Sequence, residues 1–307
     1  MKIAIMGSGG VGGFFGAKLA LAGNDVTFIA RGPHLEAMLA DGLTVTSTDG
    51  DMKVDNVQAT DDPASIGVVD AVLFTTKLYD TVATAELIRP IVGPDTFIVT
   101  LQNGVSSQQM IADVLGQDCV LGGSTYIVSH IDGPGKIAHM GPARLIFGEM
   151  NGSLSNRAQG FENICKEANI DVVLTDQIEL ELWRKFIPLT VMSGLTSVIR
   201  GPIGTVLADP DLNQMMEDAV AEVVAVGKAR GIPLAEDMVA HTIRNVDGAP
   251  KETMSSMSLD LLRGKPLELP WLSAKVAEYG EELGIPTPTH KFMASVLKPF
   301  AEGNTSN

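Results

Sequence analysis

Short apolar runs alternate with segments of helical periodicity through the first half of the chain, and the runs almost vanish in the second half. Lys2 to Met6 predicts a buried strand, Phe14 to Ala22 the helix behind it, and Asp25 to Ala30 the next parallel strand. The alternation continues with strands at Ala71 to Thr76, Thr96 to Leu101 and Val120 to Ile127, and with helices around Thr81 to Ile88 and Ser106 to Leu115. Lys136 to Met140 and Arg144 to Gly148, joined by Gly141-Pro142, read as an antiparallel edge hairpin. A helix around Arg157 to Ala168 and a strand at Val172 to Leu174 close this half. Alternation of this kind predicts a doubly wound, mostly parallel sheet covered on both faces.

From Asp176 onward the period is helical: Ile178 to Ile199, Leu212 to Arg230, Ala235 to Val246, Leu261 to Arg263, Trp271 to Leu283 and His290 to Phe300. Asp211 is expected to cap its helix, Gly231, Gly264 and Gly284 to mark helix ends, and Pro188 to kink the first helix. The tail Glu302 to Asn307 is expected to fray. These patterns predict an α/β domain over residues 1–175 and an all-α domain over 176–307. The length of 307 residues suits two domains of ordinary size.

The turn between the first strand and helix carries Gly7-Ser8-Gly9-Gly10-Val11-Gly12. In this context it predicts a Rossmann-type dinucleotide cradle. Gly7 makes the tight turn, Gly9 admits a pyrophosphate to the backbone, and Gly12 allows close helix–strand packing. The helix N-terminus then offers unpaired N–H groups and a favourable dipole to the phosphates. A secretory signal is not expected, because six glycines fall within the first sixteen residues. The second strand ends in Ala30-Arg31 where NAD enzymes usually carry an acidic residue. A guanidinium suits a 2′-phosphate, so the position favours NADP(H) over NAD(H).

A formal charge of −15 makes nucleic acid and anionic membranes poor partners, and no apolar run approaches the ~20 residues of a membrane span. Cys119 and Cys165 stand apart, and His34, His130, His139, His241 and His290 form no ligand pair. No metal is therefore expected, and a reducing cytoplasm fits best. A homodimer is compatible with the sequence, which does not demand one.

Polar residues at strand ends are the candidates for chemistry, because such folds bind ligands at the carboxyl ends of their strands. Lys77 and Asn103 each follow an apolar strand directly, as cofactor or substrate contacts or as turn residues, Asn103-Gly104 being a common turn pair. Lys185 lies in an apolar helix, either as a functional amine or as the partner of Glu181 four residues earlier. Glu268 stands between apolar residues at a helix entrance, and Ser255-Ser256 reads as a cap or a contact.

In order and spacing, the set Gly7 to Gly12, Arg31, Thr76-Lys77, Gln102-Asn103-Gly104-Val105, Trp183-Arg184-Lys185, Ser255-Ser256-Met257 and Leu267-Glu268 resembles the 2-dehydropantoate 2-reductases (ketopantoate reductases) over essentially the whole chain. The resemblance implies a C-terminal domain like that of 6-phosphogluconate dehydrogenase and NADPH-dependent reduction of a 2-oxo acid, 2-dehydropantoate foremost, for pantothenate biosynthesis. It implies that Gly7, Gly9 and Gly12 hold the pyrophosphate, with Ser8, Gly10 and Val11 in the same loop, and that Arg31 holds the 2′-phosphate. Lys77 and Asn103 would lie by the nicotinamide half and the substrate. Lys185 would be the proton donor, Ser256 a contact for the substrate carboxylate, and Glu268 a cofactor-side or lysine-orienting carboxylate. Leu189, Ser193 and Thr253 stand where the family typically has asparagines. The cofactor half of the pattern is thus intact and the substrate half altered, which opens a second reading: a less polar 2-oxo acid. A non-catalytic NADP(H) sensor is a third, and keeping both Lys185 and Glu268 speaks against it.

Overall fold

The structure is a computed structural model and describes residues 1–303, so the expectation for the tail falls, from residue 304 on, outside the described residues. The chain divides into two compact units, Met1–Ile178 and Glu179–Asn307.

The first unit opens with β1 (Lys2–Met6), α1 (Gly10–Leu21), β2 (Asp25–Ile29) and α2 (Gly32–Asp41). Three short strands follow, β3 (Leu43–Ser47), β4 (Met52–Val54) and β5 (Gln58–Thr60). Next come β6 (Val69–Phe74), α3 (Thr81–Ile88), β7 (Val92–Thr100), α4 (Ser107–Leu115), β8 (Val120–Gly133), β9 (Lys136–Glu149), α5 (Asn156–Glu167) and β10 (Asp171–Leu174). They form one sheet in the order β4-β3-β9-β8-β7-β6-β1-β2-β5, with β10 also pairing β9. From β5 to β8 all neighbours are parallel. Both faces are buried, which is why β1 reads as one continuous apolar run rather than an alternating one. Ile3 and Ile5 pack on one side with Phe14, Phe15 and Phe28, and Ala4 and Met6 on the other with Val72, Ile88 and Ile111.

The chain leaves β1 and β6 in opposite directions, to α1 and β2 on one side and to α3 and β7 on the other. This is the topological switch point, and open α/β sheets bind their ligands at the carboxyl ends of the strands there.

The expected edge hairpin is corrected. Residues 136–149 form a single strand, β9, antiparallel to β8 and flanked on its far side by β3 and β10. Gly141 and Pro142 fall where the β8–β9 register shifts, between Tyr126↔Arg144 and Val128↔Met140. A bulge tolerates a residue without an N–H, so the pair that reads as a turn is absorbed within the strand. Likewise α1 begins at Gly10, earlier than the apolar residues alone suggest.

The second unit is helical among the described residues: α6 (Ile178–Val198), α7 (Ile203–Ala208), α8 (Pro210–Ala229), α9 (Met238–Asp247), α10 (Ser256–Leu262), α11 (Ser273–Leu283) and α12 (Pro288–Leu297). Helix α6 runs on through Pro188. Asp209, not Asp211, caps α8, accepting from the Asp211 and Leu212 amides at 3.0 Å each. With Pro210 at the first helical position, the capping residue must precede it. No described helix is long and apolar enough to cross a membrane.

Candidate active site

The glycine-rich turn is built by close backbone approach. Gly7 has φ +100°, a conformation L side chains rarely adopt. A Cβ on Gly12 would strike the Gly7 carbonyl oxygen, so only glycine lets α1 start this near β1. Thr75, just after β6, donates its hydroxyl to Gly7 O at 2.5 Å and ties the loop to the neighbouring strand end. Ser8 is buried, and both its amide and its hydroxyl donate to Ile29 O, at 3.3 and 3.0 Å. Gly9 faces open space, and as N-cap of α1 it supplies no side chain to the helix terminus. Gly10 and Val11 form the first turn, which carries no acidic residue to compete with a phosphate.

At the carboxyl ends of the neighbouring strands, Lys77 follows β6 and precedes a 3₁₀ turn at Leu78–Asp80, and Asn103 follows Gln102 beyond β7; both are partly buried. Gln102 donates its amide to Thr76 O at 3.0 Å and to Thr81 Oγ1 at 2.8 Å, joining the ends of β7 and β6. The hydroxyls of Thr76, Ser106 and Ser124 are buried without a partner among the described residues. The open space at Gly9 and the acid-free first turn of α1 fit the pyrophosphate of a dinucleotide. Arg31 is the exposed N-cap of α2, directly after the buried end of β2.

In the second unit, Trp183 and Phe186 anchor α6 in the core, with ring centroids 5.4 Å apart and nearly perpendicular. Lys185, between them in sequence, is only partly accessible. Desolvation lowers its pKa from 10.5 to about 8, while the buried Glu268 carboxylate acts in the opposite sense and sustains the charge. The expected Glu181–Lys185 pair is corrected: Glu181 accepts instead from Arg184 Nη1 at 2.6 Å. Lys185 is thereby left to the interior carboxylate, which sequence spacing alone could not reveal, because 83 residues separate the two.

Ser255 caps α10, accepting from the Ser258 amide at 3.0 Å and bonding Thr196 Oγ1 at 3.0 Å. Ser258 donates to Thr196 O at 2.9 Å, so α6 fixes the start of α10 and leaves Ser256 exposed there. Leu189, one turn beyond Lys185, and Thr253, just before α10, are partly accessible. The Thr190 and Ser193 hydroxyls are buried without partners among the described residues. No group of three or more potential metal ligands occurs among the described residues. Sequence reasoning passed over Thr75 and His34, whose bonds to the glycine loop depend on distant segments meeting in space.

Residues 3–152 match the model of the family "Ketopantoate reductase PanE/ApbA", and residues 177–301 that of its C-terminal domain. A 2-dehydropantoate 2-reductase of Mesorhizobium japonicum is 30% identical, the alignment covering 98% of each chain. The crystal structure of a PanE/ApbA family ketopantoate reductase from Ralstonia eutropha superposes with a TM-score of 0.91 at 30% identity, covering 98% of both chains. A D-mandelate dehydrogenase solved with NADH and anilino(oxo)acetate shares the fold, with a TM-score of 0.89 at 21% identity and 98% coverage of each chain. The chain belongs to the ketopantoate reductase (PanE/ApbA) family and is an oxidoreductase working with a nicotinamide cofactor.

Proposed function

We propose that the protein reduces a 2-oxo acid to the 2-hydroxy acid with NADPH, 2-dehydropantoate to pantoate being the leading reaction. The observation that carries this reading is Lys185, a desolvated amine whose pKa of about 8 suits proton donation near neutral pH, with Glu268 sustaining its charge. The nicotinamide, when bound, supplies a hydride to C2 of the oxo acid. Lys185 stabilises the negative charge that builds on the carbonyl oxygen and then gives it a proton, completing the hydroxyl. Glu268 keeps the amine protonated until that transfer. Ser256, exposed at the first position of α10, is assigned to the substrate carboxylate. Lys77 and Asn103 are assigned to the nicotinamide half, and Asn103 also to the substrate. The loop from Gly7 to Gly12 is assigned to the pyrophosphate and Arg31 to the 2′-phosphate, where a planar fork of donors matches the phosphate oxygens.

A second reading rests on Leu189. One turn from the amine on α6, this partly accessible side chain offers no donor or acceptor. It favours a substrate whose remote end is apolar over one ending in a hydroxyl. Initial rates with NADPH on ketopantoate and on branched 2-oxo acids without that hydroxyl test both readings. Faster turnover of ketopantoate supports the first, faster turnover of the apolar acids the second, and no oxidation of NADPH with any 2-oxo acid rejects both.

A further inference from the structure

His34, in the first turn of α2, bridges three segments. Its Nε2 lies 2.9 Å from Ser8 O, and the Gly135 amide donates to its Nδ1 at 3.1 Å. A carbonyl only accepts and an amide only donates, so the proton must reside on Nε2 and the ring is neutral. Ser8 is thus held from both ends: its amide and hydroxyl by Ile29 O, its carbonyl by His34. The Ser8–Gly9 peptide is trans and planar, so its C=O and N–H point in opposite directions. Fixing the Ser8 oxygen against His34 therefore fixes where the Gly9 N–H points. That amide makes no backbone hydrogen bond among the described residues, and Gly9 itself faces open space.

We propose that His34 is a positioning residue for the dinucleotide pyrophosphate, aiming the Gly9 N–H by holding the Ser8 carbonyl. The proposal rests on the reading that the glycine loop binds a dinucleotide, and concerns a group that the glycine pattern does not include. A side chain that restores only the Ser8 bond should rescue binding, and one that restores only the Gly135 bond should not. In His34→Gln the amide nitrogen reaches the place of Nε2. In His34→Asn the amide oxygen reaches only the place of Nδ1.

Calorimetric titration of NADP⁺ and NAD⁺ into the full-length protein reads this directly, without turnover. His34→Gln should bind within about twofold of wild type, and His34→Asn about five- to tenfold more weakly, the worth of one hydrogen bond of about 1 kcal/mol. The loss should be equal for both dinucleotides, because they share the pyrophosphate. Wild-type affinity in His34→Asn overturns the proposal, as does equal loss in the Asn and Gln variants. A loss confined to NADP⁺ also overturns it, since the effect would then run through Arg31. A wild-type preference for NAD⁺ refutes the NADP reading alone and leaves this comparison intact. Binding of neither dinucleotide to wild type removes both.

Discussion

Glu268→Gln is the perturbation that best isolates the proton donor, because it deletes a charge while keeping shape. Burial draws Lys185 down from 10.5 to about 8, and Glu268 is the charge that resists further descent. The fall of the pKa corresponds to about 3 kcal/mol against the charged amine, at 1.36 kcal/mol per tenfold change in proton affinity. An acid must be protonated to donate, so reduction should run at full rate well below the pKa. Above about pH 8 it should decline about tenfold per pH unit. A neighbouring opposite charge typically moves a pKa by about 1–3 units. Losing Glu268 should therefore bring the alkaline limb to about pH 7 or below. With the limb at about 7, the protonated fraction at pH 8 falls from about one half to about one tenth, a loss of about fivefold, while near pH 6 the two proteins differ by only about a tenth.

The assay is the initial loss of NADPH absorbance at saturating cofactor, with 2-oxo acid concentration varied at each pH. The value of kcat/KM against pH then reports the donor in the enzyme–NADPH complex that meets the 2-oxo acid. Identical limbs in wild type and Glu268→Gln would refute the electrostatic role of the carboxylate. A uniform loss at every pH would show that Glu268 acts through geometry, and a wild-type rate flat to about pH 10 would remove Lys185 as the donor altogether.

Three further outcomes are expected. Arg31→Ala should weaken NADPH by about 1.5–3 kcal/mol, the loss of a charge-assisted pair, and leave NADH nearly unchanged; equal losses by titration would mean that Arg31 never meets the 2′-phosphate. Leu189→Asn adds donors and acceptors one turn from Lys185, so the ratio of kcat/KM for ketopantoate over an apolar 2-oxo acid should rise at least about tenfold, and an unchanged ratio would detach Leu189 from the substrate. At the end of β9, burial alone would raise the Glu149 carboxyl, but hydrogen bonds from Arg157 (2.7 and 2.8 Å) and Ser155 (2.6 Å) hold it below its ordinary 4.5. The lowered carboxyl contributes stability above the ordinary carboxylate range and loses it as pH falls through the lowered value. Arg157→Ala, which strands the buried carboxylate, should cost about 3–5 kcal/mol in thermal or denaturant unfolding.

What the sequence discloses follows from how local each cause is. The glycine turn is legible because its constraints act within one strand–turn–helix unit: Gly7 needs a left-handed backbone, and Gly12 must clear the Gly7 oxygen. Parallel strands buried on both faces announce themselves by composition, as β1, β6 and β7 do. Edge and mixed strands do not: β3 is half polar, Leu-Thr-Val-Thr-Ser, and β4 and β5 have three residues each, too few to show a period. Gly141-Pro142 misleads because turn chemistry and bulge chemistry use the same residues, and only the partner strand β8 decides between them. The same logic governs the site. Lys185 in isolation has an ordinary surface explanation, and what removes it is Arg184, whose guanidinium takes Glu181 and leaves the amine to Glu268. His34 likewise gains its meaning from Ser8 and Gly135, 26 and 101 residues away. Groups that touch ligand through a local motif are thus written in the chain, whereas groups that aim those contacts depend on tertiary meetings. His34 belongs to the second kind, which is why the glycine pattern does not include it, although its ring bonds the Ser8 carbonyl inside that pattern.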